Sequence, residues 1–585
     1  LYTERVTGSA TAKKWTSAQA SVASASFIGI DDLTVNVSSL SVEVNRAASD
    51  KTVVDYGAGK TVRSVKTGPT TTLDLALNAA EGDLTRATGN LKLDLFGFVQ
   101  AEGGFGIVKK SGRVRVTDNP LTTTIDESAN LVDVDMLLIG GTGLSGFAGI
   151  NGGRADETGL RLSGVELGVA LYTEKLANNS TAAARRWSTA QATATSAAFG
   201  GIDGLVLSAQ SLSVEVNRAA TDKTVVDYGY SDPEDLTKPR KSVVAVPTGP
   251  ASSLALTLDG ARGDLLRASA FLNIDVFGFF AVRGNFAIDK SDREIVLNDA
   301  VVDAQGVTTR PASVVKVSAL NIGASDVFAF AGVGGGFDAQ GELKSGAIGL
   351  QLSGVNFGLA VLGEKLNGQE PAGTQARRWT SLQAQAGSAG LTGIDGLTLS
   401  ADTLTVEINR PAADASLVDY KARAYPIDTG TSDSPSSLTL SLDGSEGALL
   451  RARGNLTLDV FGFVQASGAF GIEKKTGSIR VADKPSTQNI DESATAVNVD
   501  MLLVGASGLS AFAGVNGGQS NALGLSMSGV DMGLALFTER LSGTSGTPRK
   551  WTSLQASVES AQLGGIDGLT ASVSNLTVNV NRQAT

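Results

Sequence analysis

Acidic side chains recur in three settings along this sequence. Asp55, Asp227 and Asp419 stand in Val-Asp-Tyr triplets, Asp31, Asp203, Asp395 and Asp567 follow Gly-Ile, and Glu43, Glu215 and Glu407 lie just before Asn-Arg. Carboxylates brought together in pairs can hydrolyse bonds as general acid and base. An active site is usually built once, whereas every candidate here is copied three or four times. Clustered carboxylates could instead take calcium, which wants six to eight oxygen ligands. No Gly-Gly-x-Gly-x-Asp nonapeptide and no Asp-x-Asp-x-Asp-Gly loop occurs, so the expected role of Asp31, Asp203, Asp395 and Asp567 is to set a turn through the backbone two residues on. Calcium is kept as the alternative. The fourth copy of the glutamate motif carries Asn579, which argues for a surface ladder of polar residues at these positions. No catalytic, cofactor-binding or metal-binding residue is assigned, and the chain is not expected to be an enzyme.

The aromatic candidates are as repetitive. The four tryptophans, Trp15, Trp187, Trp379 and Trp551, each follow two basic residues: Lys13-Lys14, Arg185-Arg186, Arg377-Arg378 and Arg549-Lys550. An indole beside such a group suits a cation–π contact, and an exposed ring could stack on a sugar. The expectation favoured here is a joint, with the ring turned inward between successive sheets and the basic pair pointing to solvent. It requires Trp187 and Trp379 to be buried. Phe96-Gly-Phe98, Phe277-Gly-Phe279 and Phe461-Gly-Phe463 read as two rings on one strand face, expected in the core.

Composition removes much other chemistry. There is no cysteine and no histidine, so disulfides, thiolates, the commonest general base and most transition-metal ligands are missing. Net charge is −11 with both signs interspersed, a poor match for nucleic acid or anionic membrane. Glycine is abundant at 70 residues, yet 42% of the chain is apolar, which argues against disorder. No apolar run reaches the roughly 18 to 20 residues of a membrane helix.

The elements that carry these residues repeat with them. Successive tryptophans are 172, 192 and 172 residues apart. This gives residues 1–14 as the end of a preceding repeat, 15–186 as repeat A, 187–378 as repeat B with insertions, 379–550 as a second A, and 551–585 as the start of another. Leu1-Tyr-Thr-Glu-Arg5 is worded like Phe537-Thr-Glu-Arg540, so the chain reads as cut from a longer array. The insertion Tyr230–Arg240 reads as an exposed loop, and Asp126-Glu-Ser128 with Asp491-Glu-Ser493 marks the kinship of the two A repeats. Stretches such as Leu397-Thr-Leu-Ser-Ala and Leu456-Thr-Leu-Asp-Val alternate apolar and polar residues, as strands with one buried face do. Helical spacing is hard to find. The expected fold is all-β: an elongated tandem array of long strands, solenoid-like or a continuous twisted sheet. A string of β-sandwich-like domains is the alternative.

Trp379-Thr-Ser-Leu-Gln-Ala, Gly393-Ile-Asp-Gly-Leu-Thr-Leu-Ser-Ala, Phe512-Ala-Gly-Val-Asn-Gly-Gly518 and Gly524-Leu-Ser-Met-Ser-Gly-Val530 resemble the long repeats of giant bacterial secreted and cell-surface proteins, large adhesins among them. The resemblance implies a rigid extracellular stalk or filament without catalysis, whose partners are neighbouring repeats or further copies of itself. A second reading is a β-groove for lipid or another apolar ligand. Phrases such as Gly454-Asn-Leu-Thr-Leu-Asp-Val are similar to those of bridge-like lipid carriers.

Overall fold

A computed structural model describes the chain apart from residues 6–10, 27, 58, 60–62, 118–130, 178–179, 230, 233–234, 240–243, 303–307, 339, 367–372, 483–495, 542–546 and 583–585. Asp126–Ser128 and Asp491–Ser493 lie outside the described residues, as do Tyr230, Pro233, Glu234 and Arg240 of the Tyr230–Arg240 insertion. The protein is all-β, and its helical content among the described residues is three single 3-10 turns.

Twenty long strands carry the fold. The first are β1 (Lys14–Ser26), β2 (Leu33–Arg46), β3 (Leu84–Leu95), β4 (Val99–Arg115), β5 (Leu131–Ile150) and β6 (Thr158–Glu174). Next come β7 (Arg186–Gly200), β8 (Leu205–Arg218), β9 (Leu265–Val276), β10 (Phe280–Val296), β11 (Val314–Val333) and β12 (Ile348–Glu364). They are followed by β13 (Arg378–Thr392), β14 (Leu397–Arg410), β15 (Leu449–Val460), β16 (Val464–Arg480), β17 (Ala496–Val515) and β18 (Leu523–Glu539). The last two are β19 (Lys550–Gly564) and β20 (Ala571–Arg582).

The described residues form two compact units. One is Leu1–Phe271 with 289–292 and 431–433, and the other is 272–288, 293–430 and 434–585. Within the first unit β1 to β8 form an antiparallel meander in which each strand pairs with the next. Within the second, β11 to β20 do the same. Strands adjacent in sequence are thus adjacent in the sheet, and alternation along each strand separates its two faces.

Local chemistry sets the turns. Between the first two strands of each copy, the backbone N–H of Leu33, Leu205, Leu397 and Leu569 returns to the carbonyl of the Gly-Ile isoleucine three residues earlier. The third turn position has positive φ, supplied by Gly204, Gly396 and Gly568 and by Asp32 in the first copy. The Gly-Ile-Asp motif is thus a β-turn. Long strands tolerate an irregularity at Gly143 and Gly164, Asp326 and Gly354, and Gly508 and Gly529, where positive φ coincides with a register shift.

The Phe-Gly-Phe motifs are not core. Phe461 and Gly462 have φ of 52° and 69°, and Phe463 N–H returns to the Val460 carbonyl at 2.8 Å, so the motif is a β-turn in the three-residue hairpin loop between β15 and β16. Phe96 and Phe277 occupy the same position, and all six rings are exposed. A turn projects both rings away from the sheet, which overrides their hydrophobicity.

Candidate functional site

Between the second and third strands of each copy the chain leaves the sheet as an arm, residues 47–83, 219–264 and 411–448. The second arm contains a hairpin, Val244–Pro247 with Ser253–Leu256, and a 3-10 turn at Gly260–Arg262. The third contains Tyr425–Asp428 with Ser437–Leu440 and a turn at Gly444–Glu446. The Val-Asp-Tyr aspartates hold each arm together. Asp227 accepts the backbone N–H groups of Gly229 and Gly260, each at 3.0 Å, and Asp419 accepts those of Lys421 and Gly444 at 3.1 and 3.4 Å. Burial pushes the Asp227 carboxyl above its ordinary range, against the pull of these N–H donors.

The second and third of these arms lie across strands contributed by the preceding copy. In the first unit Val226 forms a β-bridge with Val116, and Asp227 N–H donates to the Arg115 carbonyl at 2.9 Å. Gly106, Gly140 and Gly168 are successive cross-strand partners on β4, β5 and β6, and the hairpin runs over this row. A methyl group at Gly106 or Gly140 would be driven into the carbonyl oxygen of Pro247, and one at Gly168 would meet Leu254 at 3.1 Å and Val246 at 3.4 Å. The glycines let one backbone approach another to a distance that any side chain would forbid.

The row ends in a polar clasp. Gln191, the partner of Gly168 on β7, bonds Thr257 of the arm through both its side-chain atoms at 3.2 Å. In the second unit Val418 bridges Leu297, and a methyl at Gly323 would strike the Asp428 carbonyl oxygen. Gly358 lies under Ile427 and Leu438, and Gln383 takes the N–H of Ser441 at 3.0 Å.

The tryptophans close this joint from the side. Trp187 is 2% exposed, inside a cluster with Tyr172 and Leu138 from the first copy and Tyr228, Val246 and Leu256 from the arm. Trp379 is 1% exposed among Val317, Leu362, Tyr420 and Ile427. Their indole N–H groups bond the arm carbonyls of Thr224 at 3.1 Å and Ser416 at 3.0 Å. Asn217 and Asn409 add side-chain bonds to the carbonyls of Val226 and Val418, at 2.7 and 3.0 Å. The hydroxyls of Tyr172 and Tyr228 meet at 2.8 Å; burial raises both, the latter to about 12.

The expected outward basic pair is half right. The second members, Arg186 and Arg378, are exposed, but the first members are held in the joint. Arg185 pairs with Glu174 at 2.7 Å and Asp222 at 3.0 Å while lying 5.0 Å from the centre of the Trp187 ring. Arg377 repeats this with Glu364, Asp414 and Trp379. The glutamates before Asn-Arg are ion-paired: Glu43 with Arg86 at 2.6 Å, Glu215 with Arg267 at 3.2 Å and Glu407 with Arg451 at 2.6 Å. Half-buried and linked across β2–β3 and β14–β15, these pairs are more than a surface ladder.

Sequence reasoning missed the glycine rows, the glutamines and the asparagines. Their signal was positional: Gln19, Gln191, Gln383 and Gln555 each lie four residues after a tryptophan, and Asn45, Asn217, Asn409 and Asn581 each precede an arginine. Among the described residues no three carboxylates gather as a metal site, and Asp31, Asp203, Asp395 and Asp567 sit apart at hairpin turns.

No family model and no curated protein matches the chain. Among solved structures it is similar to the siderophore receptors PiuA and PirA from Acinetobacter baumannii, at 9% and 11% identity. The alignments cover 91% of this chain and 81% of PiuA, and 92% and 78% for PirA, with TM-scores of 0.19 and 0.17. Scores this low carry neither fold nor function over to this chain.

Proposed function

We propose that the chain is a structural repeat array, a rigid extracellular stalk or filament of a large bacterial surface protein, with no catalytic role. The joint supports this reading: the same arm, tryptophan, arginine pair and glycine floor occur in each compact unit. A joint that interlocks backbone with backbone resists bending, because sliding the arm would bring its carbonyls against side chains flanking the glycines. Small-angle scattering of the full chain tests the proposal. The expected particle is a rod several times longer than it is wide, and globular dimensions would sink it.

An apolar groove for lipid is the second reading. It is favoured by the sheet face opposite the arms, where Ile107, Ile139, Val169, Ala190 and Val216 are successive cross-strand partners and none is fully buried. In the second unit Ile472, Val504, Leu534, Leu554 and Val580 form an equivalent row. Native mass spectrometry of the purified chain separates the readings: co-purifying acyl chains favour the groove, and their absence favours the stalk.

A further inference from the structure

Because successive strands alternate in direction, every second hairpin of a meander emerges at the same end of the sheet. In the first unit that end carries the turns 29–32, 96–98 and 151–157, and in the second it carries 393–396, 461–463 and 516–522. These turns are bonded to one another. Phe96 N–H donates to the Asp32 carbonyl at 2.9 Å, Gly152 N–H to the Gly97 carbonyl at 2.8 Å and Gly149 N–H to the Phe98 carbonyl at 2.9 Å. Phe461 repeats the first bond with Gly396 at 2.7 Å, and Gly517 and Gly514 repeat the others with Gly462 and Phe463, each at 2.9 Å. In the second copy Gly335 and Gly332 donate in the same way to Gly278 and Phe279, at 2.8 and 2.9 Å. Each set of turns is therefore one rigid rim.

The rim turns apolar side chains to solvent while keeping its backbone polar groups to itself. The six phenylalanines of the Phe-Gly-Phe motifs are 53% to 59% exposed. Ile394, Val464 and Val515 stand exposed beside Phe461 and Phe463, as Ile30, Val99 and Ile150 do beside Phe96 and Phe98. The hairpins β3–β4 and β15–β16 that carry these turns are paired with further strands on both sides, so the exposure belongs to the turns and not to a sheet edge. All three N–H groups of Phe461–Phe463 are bonded, to Gly396, Asp459 and Val460, and so are the carbonyls of Gly462 and Phe463. The turns 393–396, 461–463 and 516–522 carry one charged side chain, Asp395, and no lysine or arginine.

We propose that this rim is a membrane-contact surface, which seats its phenylalanine pairs in the interface of an electrically neutral, zwitterionic bilayer. Three features select this occupant. A backbone already bonded within the rim gives up few bonds to water on entering lipid, whereas an added peptide strand is recognised through free backbone groups that the rim does not offer. Rings at turn tips project as separate points and line no pocket, which suits a medium that deforms around them. Without cations the rim gains nothing from anionic headgroups, and Asp395 is repelled by them. The strain fits the same reading: Phe96, Phe277 and Phe461 hold φ of 56°, 53° and 52°, a cost to the fold that burial of the ring in lipid offsets. Turns held on one rigid rim insert together, so weak single contacts add. The proposal stands on the turns alone and holds for a stalk and for an apolar groove alike.

Flotation of the full chain with vesicles of pure phosphatidylcholine tests it. The chain should rise with the vesicles equally at low and at high salt, and added phosphatidylglycerol should weaken the binding. Phe461→Asn combined with Phe463→Ser should weaken it about fivefold to tenfold per ring, the factor for withdrawing half of a phenylalanine from an apolar medium, without lowering the unfolding midpoint. Val314→Ser, an equally exposed position at the other end of β11 from its turn, should leave binding unchanged. Absence of flotation with neutral vesicles, flotation that requires phosphatidylglycerol, undiminished binding by the double variant, or an equal loss in Val314→Ser would overturn the proposal. So would self-association that the double variant removes in a chain that does not float, since a second copy would then be the occupant.

Discussion

Trp379 donates its indole N–H to the carbonyl oxygen of Ser416 at 3.0 Å, tying the first strand of a copy to the arm that leaves its second. Trp187 does the same with Thr224. Trp15 stands in the same sequence setting but is only half-buried, and its indole reaches the Thr52 hydroxyl at 3.1 Å. Arg63–Lys66, the first hairpin strand of arm 47–83, is exposed, whereas its counterparts Val244–Pro247 and Tyr425–Asp428 alternate between buried and exposed.

Truncating the buried ring should therefore loosen the arm as well as the sheet. Trp379→Ala is expected to destabilise its surroundings by about 3–5 kcal/mol, the usual cost of emptying a large buried aromatic site. Denaturant midpoints, followed by hydrogen exchange to localise the loss, check this. Protection lost in β13 alone, with Tyr425–Leu440 unchanged, would mean that the ring acts within its own strand and not in the joint.

The glycine floor predicts a different injury. Gly323→Val forces a side chain into the space of the Asp428 carbonyl, so the arm must lift. Overpacking of this kind costs about 1–3 kcal/mol. Amide protection should fall first in Tyr425–Leu440 while β11 and β12 keep theirs. Protection lost evenly across sheet and arm would argue against the close approach.

Acid should loosen the joints through the glutamates. Side-chain bonds from Arg185, Arg377 and Arg549 hold Glu174, Glu364 and Glu539 below their ordinary value of 4.5, the last at about 2. A carboxylate whose folded pKa is depressed contributes stability that is complete above its unfolded pKa and lost as pH falls through the folded one. The loss should therefore run from about pH 4.5 down to about 2. Asp227 has the opposite sign, since burial raises it, and so its penalty is relieved by protonation. Unfolding midpoints measured from pH 7 to 2 should fall in that window, and Glu364→Gln should flatten part of the fall. An unchanged profile in Glu364→Gln would remove the arginine pair as its source.

Periodicity was enough to place the strands, because alternation over 12 to 20 residues has no helical reading and glycine-bearing turns punctuate it. The burial of Trp187 and Trp379 followed from their recurrence in one context. The rest depended on register, which no local pattern contains. Gly106, Gly140 and Gly168 lie 34 and 28 residues apart and become a row only when three strands align. Arg185 looked solvent-bound because its partners Glu174 and Asp222 are brought to it by a neighbouring strand and by the arm. Phe-Gly-Phe misled because ring size was weighed above turn geometry, although three residues with a glycine between alternating runs are a hairpin signal.

That turn yields a further test. Phe461 holds a φ of 52°, a conformation that costs an L-residue with a bulky side chain about 1–2 kcal/mol and that asparagine adopts more readily. The strain is not offset by burial, since Phe461 is 57% exposed and Phe463 is 54% exposed. Asp459 already caps the turn by accepting the Gly462 N–H at 2.8 Å, so the turn does not need the ring to form. Phe461→Asn should thus leave the unfolding midpoint unchanged or raise stability by about 1 kcal/mol. A loss of similar size would show that the ring packs on the sheet. A stabilised variant would mean that Phe96, Phe277 and Phe461 hold strained, exposed rings for a contact outside their own turn, because a residue that costs its own fold in three copies is not explained by that fold.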